Sequence, residues 1–181
     1  MKAVRILYRL SQFWRTLFPK TDSASLAEAQ HQLTPVQRRL FGQLQPSEQK
    51  HALSIWRKLR DLGEDQPDLL VAALLHDVGK LHYPLHLWER VLVVLVRAVM
   101  PAQAVRWGSL PSNDWKRLPA WRKAFILAEQ HAQWGAELAH NAGVSPLTEY
   151  LIREHHHPQE QDINEAKSSL LHKLWLADNG S

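Results

Sequence analysis

The stretch DLLVAALLHDVGK, residues 68 to 80, constrains the fold more than any other part of the chain. Leu69 through Leu75 leave no polar face, so a helix built from them belongs in a domain interior. His76 and Asp77 follow directly. Burying an imidazole and an ionised carboxylate is costly unless each finds a partner. The remaining sequence must supply those partners, and must deliver them into a core.

A chain of 181 residues suits one domain with a sizeable core. Only seven glycines and no sustained apolar–polar alternation argue against β structure. Spacing and punctuation predict an all-α, single-domain helical bundle instead. Val4, Leu7, Leu10, Phe13 or Trp14 and Leu17 recur at helical intervals and stop at Pro19. The polar stretch from Lys20 to Gln32 reads as a linker, so residues 1–33 form an amphipathic helix with its linker, and 34–181 the helical domain. Thr34 and Pro35 start the next helix as cap and first-turn proline. Ser47 is a cap for a third, which ends at Gly63, and Asp68 for the apolar helix, which Gly79 ends. Further helices are expected at about 84–99, 119–142, 145–156 and 163–178, with Pro101 to Pro119 irregular or partly helical. The run RVLVVLVRAVM from Arg90 reads as a buried helix, too short to span a bilayer.

On these helices the polar residues fall in unexpected places. His51, Ile55, Leu59 and Leu62 share one stripe. Trp121, Ala124, Ala128, His131, Gly135, Leu138 and Ala142 trace another. Leu170, Leu171 and Leu174 make an inner face that Asp178 continues. Leu151 and Ile152 lie one turn below His155 and His156. A lone histidine on an apolar stripe is usually a satisfied core residue. Five helices doing this together is different, because one shared metal centre would partner every group. Neutral imidazoles and carboxylates suit borderline and hard divalent ions, while the absence of cysteine excludes thiolate sites and suits a reducing, cytoplasmic compartment. Among the three consecutive histidines the helical register favours His155 and His156, leaving His157 beside Pro158 at the helix end as the other option.

His51, then His76-Asp77 within LLHDVGK, then Asp178 within LWLAD, resembles the metal signature of the HD-domain phosphohydrolase superfamily. HAQWGAEL and LIREHHHP resemble the segments that carry further histidines in its dinuclear members. The resemblance spans about Gln37 to Asp178. It implies an HD-type bundle in which His51, His76, Asp77 and Asp178 hold one divalent ion, and Asp77 bridges to a second held by His131, His155 and His156. Lys80 matches a lysine that lies near the substrate phosphate in relatives. The implied cofactor is one or two ions of Mn, Fe, Co, Ni, Zn or Mg, with Asp77 and Lys80 the catalytic residues. Two such cations would clamp a phosphoryl group and supply a hydroxide at neutral pH. The cyclic-dinucleotide branch is not expected, because PQEQDINE follows the histidines where that branch has Asp-Gly and Gly-Tyr-Pro elements. Ser47, one turn before His51, stands where relatives with a third metal have a glutamate.

The expected activity is therefore hydrolysis of a phosphate ester or anhydride in a nucleotide or similar small molecule. Two alternatives stay open: a catalytically weak signalling or scaffold module with a structural metal, and a metal-dependent oxygenase. A net charge of +4 favours anionic ligands, but no long basic run points to specific nucleic-acid binding. The N-terminal segment carries Lys2, Arg5, Arg9, Arg15 and Lys20 opposite its apolar residues. It reads as a helix packed across the bundle or as a peripheral membrane contact through residues 1–19.

Overall fold

The computed structural model describes residues 23–109, 114–156 and 165–180. The helix expected over residues 1–19, and His157, lie outside the described residues. Within them, the regular elements are α1 (Ser23–His31), α2 (Pro35–Gly42), α3 (Pro46–Asp61), α4 (Pro67–Leu75), a 3₁₀ turn (Val78–His82), α5 (Leu87–Val99), α6 (Pro101–Gly108), a second 3₁₀ turn (Trp115–Arg117), α7 (Ala120–Asn141), α8 (Pro146–Glu154) and α9 (Glu165–Asn179). All-α is therefore the fold class.

Proline in the first turn sets the start of five of these helices: α2, α3, α4, α6 and α8. Its missing N–H is one that a first turn would leave unpaired anyway. Thr34 caps α2 as expected: its hydroxyl accepts from the Gln37 N–H, and the Gln37 side chain accepts from the Thr34 N–H at 3.1 Å. Two caps fall elsewhere than the sequence suggested. Ser47 sits inside α3, whose cap position is Gln45. Asp68 is likewise inside its helix, and Gln66 accepts from the Leu69 N–H at 2.7 Å. Both shifts have one cause: the proline takes the first helical position, so the cap must precede it. At the far end of α3, Gly63 adopts φ +82, and the Glu64 N–H reaches back to the Leu59 carbonyl.

The core lies around α4, which packs against α3, α8 and α9. Leu69, Leu70, Ala72, Ala73, Leu74 and Leu75 are all buried, as an all-apolar helix requires. A smaller cluster of Val93, Val96, Ala104, Ala124 and Phe125 joins α5 and α6 to the first half of α7. Three expectations need correction. The stretch 23–31 is a helix rather than a linker: Ala29 and Leu33 enter the core, and the buried Trp56 donates to Gln32. Leu62 lies past the end of α3 and is exposed, so it leaves the apolar stripe. The helix containing RVLVVLVRAVM is buried on one side only, with Val99 and Met100 in solvent.

Asp68 replaces its expected capping role with a tie between two helix starts. Its carboxylate accepts from Ser145 and Thr148 at the start of α8, and from Gln66 at 3.0 Å. Burial opposes ionisation of Asp68, but these three hydrogen bonds outweigh it and hold its pKa below the ordinary carboxylate value. A group depressed in the folded state stabilises above its unfolded pKa, about 3.9, and loses that contribution as pH falls through the folded value. Asp68→Asn should therefore lower stability by about 1 kcal/mol near neutral pH. Urea unfolding at pH 7 and pH 3 checks this, with the difference between the two proteins shrinking at the lower pH.

Candidate metal centre

Three buried histidines present the same local device. A carbonyl oxygen can only accept, so a ring nitrogen bonded to one must carry the proton. His76 Nδ1 donates to the Ala73 carbonyl at 2.9 Å, His155 Nδ1 to the Ile152 carbonyl at 2.7 Å, and His131 Nδ1 to the Leu127 carbonyl at 3.0 Å. His76 and His155 stand at the C-terminal caps of α4 and α8, where the last carbonyls lack helical partners. Each imidazole thus satisfies a carbonyl of its own helix end and turns Nε2 away from it. In all three, Nε2 is left to point into the bundle.

Two of these Nε2 atoms, those of His76 and His131, face Asp77. The carboxylate lies 3.4 Å from His76 Nε2 through one oxygen and 3.4 Å from His131 Nε2 through the other. His156 Nε2 stands 2.8 Å from His131 Nε2. On the opposite side, His51 Nε2 is 3.0 Å from Asp178 Oδ1, which brings α3 and α9 to the same centre. The donor atoms of three residue groups lie within 4.8 Å of one another: His51, His76 and Asp77; His76, His155 and Asp178; and His131, His155 and His156. All seven ligand candidates named from the sequence are therefore placed in one cluster. His155 differs from the expected assignment, since it groups with His76 and Asp178 as well as with His131 and His156. His156 is exposed and forms the rim, while His155 is wholly buried.

The charge states agree with a cation-binding role. His131 and His155 are pushed down to about 3 and about 4, chiefly by burial, so both are neutral imidazoles at physiological pH. That is the form a metal ligand needs. For His156 the shift is also downward, from burial and then the neighbouring His155 and His131. His76 goes the other way, up to about 9: burial opposes its charge, but Asp77 beside it prevails. Asp77 and Asp178 are both held well below the usual carboxylate range despite burial, Asp77 mainly by Lys80 and His76, Asp178 mainly by its bond to His51. His76 Nε2 and His155 Nε2 are buried with no hydrogen-bond partner among the described residues. Orphaned buried ring nitrogens of this kind are rare, and one beside Asp77 with another grouped with Asp178 fits a divalent ion.

No protein-family model, curated protein or solved structure matches the chain.

Two charged residues that the motif reading passed over complete the surroundings. Lys80 Nζ binds Asp77 at 2.6 Å and also Glu48 at 3.2 Å, so it is half-buried and paired. Glu48 is buried on α3, one turn before His51 and next to Ser47, the position weighed from sequence. It also pairs with Arg90 of α5, whose guanidinium bonds Gln45 at 2.5 Å. The chain Gln45–Arg90–Glu48–Lys80–Asp77 runs from the surface to the centre. Its one sequence signal was a glutamate three residues before His51 on the same helix face. His82 and His86 are exposed, as are His31, His140 and His172; none of them belongs to the cluster.

Gly79 does something other than end a helix. A Cβ there would stand 1.9 Å from the His131 carbonyl oxygen and 2.7 Å from the Gly135 amide nitrogen. Gly135 in turn faces the Gly79 amide and the His76 carbonyl. The two glycines let the 3₁₀ turn lie directly on the backbone of α7, which brings His131 against Asp77. Gly79→Ala should therefore separate these segments, costing about 3 kcal/mol and weakening divalent-metal retention. Gly42→Ala, where no atom lies within 4 Å of the added carbon, should leave both unchanged. Thermal unfolding with metal analysis of the purified variants checks the contrast.

Proposed function

We propose that the chain is an HD-type, metal-dependent phosphohydrolase acting on a phosphate ester or anhydride of a nucleotide or similar small phosphorylated molecule. The observation that carries this reading is the set of fixed Nε2 atoms gathered with a buried and a partly buried carboxylate in one cluster of an all-helical bundle. The arrangement agrees with the sequence resemblance drawn from LLHDVGK and its partner segments. His51, His76, Asp77 and Asp178 would hold one ion, and His131, His155 and His156, with Asp77 between, a second. His155 is close enough to the first group to serve there instead. Bound divalent ions would polarise phosphoryl oxygens and lower the pKa of a coordinated water.

The chain's own residues do the rest. Asp77 stays ionised because Lys80 sits on it, and Lys80 stays protonated because Asp77 and Glu48 outweigh its burial. Lys80 therefore serves to hold the bridging carboxylate in its ligating form. His156, on the solvent side of the group, is where an entering ligand would meet the centre first.

The test is metal analysis of the purified protein followed by a panel of p-nitrophenyl phosphate, bis-p-nitrophenyl phosphate and nucleotides. One or two divalent ions per chain should be found, with turnover that Asp77→Ala abolishes together with metal retention. A metal-free protein, equally stable with Asp77→Ala, rules out the metal centre. Metal retained with no turnover on any phosphoester moves the reading to a structural-metal scaffold.

A further inference from the structure

Helix α5 is built inside out. Its buried side carries Glu89, wholly removed from solvent, which accepts hydrogen bonds from the Tyr83 hydroxyl and the His86 N–H at 2.7 Å each. Its outward side carries no charge. At 100° per residue, Leu87, Trp88, Val91, Val94, Leu95 and Val99 fall within an arc of about 140°. Leu87 and Trp88 are each 52% exposed and Val99 64%. Met100, which joins the two helices, and Val105 of α6 are exposed too, at 47% and 56%. An apolar surface of this kind on the outside of a chain marks a docking site.

Charge indicates what docks there. From Arg90 to Asn113 the sequence has three arginines and no acidic residue. Arg90 is committed to Glu48 and Gln45, but Arg97, half exposed and paired with Glu129, lies along one edge of the apolar arc, and the exposed Arg106 stands beside Val105. The segment 1–21 is also apolar and cationic, with five basic residues and no acid. Two cationic faces repel, so this segment is a poor cover for α5 and α6. A second copy meeting the same face across a two-fold axis would set arginine against arginine in the same way. A surface that is apolar below and negative above suits both cationic elements at once. No described helix is long and apolar enough to cross a membrane, so the geometry is that of a protein lying on one.

We infer that the exposed face of α5 and α6 seats on an anionic lipid bilayer, its aliphatic side chains entering the acyl boundary and Arg97 and Arg106 meeting lipid phosphates. Trp88 then lies at headgroup level, where an amphipathic ring is favoured. This inference is independent of the catalytic reading and stands without it.

Co-sedimentation of the full chain with vesicles tests it, using phosphatidylcholine alone and phosphatidylcholine with about 30% phosphatidylserine. The wild type should bind the mixed vesicles about tenfold more strongly than the neutral ones and should be released by added salt. The pair Leu95→Glu and Val99→Glu should lower binding about tenfold at an unchanged melting temperature. Arg106→Glu, on an exposed position, should weaken it and flatten the salt dependence, and it remains informative if the double variant folds poorly. Leu62→Glu, on a different exposed site, should change nothing. Three results overturn the inference: no binding to mixed vesicles, binding that survives Leu95→Glu, Val99→Glu and Arg106→Glu, or a dimer that those substitutions dissolve while vesicles go unbound. The second result would assign any membrane contact to residues 1–19 alone.

Discussion

An ionised carboxylate at the centre of an apolar bundle is the constraint on which the other arrangements depend. Asp77 is 2% exposed, and the effective penalty for desolvating such an ion is on the order of several kcal/mol. Lys80 at 2.6 Å supplies most of the compensation, with His76 next. Lys80 then needs its own counter-charge, which Glu48 gives, and Glu48 needs Arg90. Each step moves unpaired charge one position outward until it reaches the edge of the fold. The ion pairs do not make the core more stable than an apolar one would be. They make a buried carboxylate possible, and its neighbours are consistent with that purpose being ligation.

Backbone geometry rather than side-chain attraction brings the two sides of the centre together. Helices α4 and α8 both end on a histidine whose Nδ1 caps a carbonyl of the preceding turn. At a helix end an imidazole can bond a carbonyl that lacks a helical partner and still aim its other nitrogen across the bundle. In helix α7, His131 does the same from mid-helix through an i−4 carbonyl, and the close approach at Gly79 and Gly135 brings it to Asp77. The rigidity of the centre therefore comes from hydrogen bonds internal to each helix, not from the ligands attracting one another.

The polar residues of the centre were legible in the sequence because each broke a regular apolar pattern. His51 and His131 interrupt helical stripes, and Asp178 extends one, so their inward direction follows from periodicity alone. The helix starts were less legible. Ser47 and Asp68 look like caps by residue type, but Pro46 and Pro67 occupy the first helical turn and move the cap to glutamine. The stretch 23–31 looked like a linker because its composition is polar, yet two inward residues, Ala29 and Leu33, suffice to dock it. Glu48 and Arg90 were passed over for a different reason. Their importance lies in a pairing between residues 42 positions apart, and no local pattern records such a pair.

Helix α5 shows where pattern reading fails in the opposite sense. RVLVVLVRAVM has the composition of a buried helix, and burial is the ordinary fate of such a run. A helix is buried all round only if neighbours cover every side. Here α6 and α7 cover one side, and that side is the one that includes Glu89. The carboxylate is tolerated there because the Tyr83 hydroxyl and the His86 N–H satisfy it, and it raises the Tyr83 hydroxyl to about 12 in return, with burial the larger cause. The outward aliphatic residues receive no such compensation within the described residues. A sequence that keeps its polar group inside and its apolar groups outside, with arginine along the edge, spends stability at two places on one helix. Those two costs have a common explanation if the outward side is the one that meets a lipid surface, since only then does each face of α5 lie against a medium that suits it.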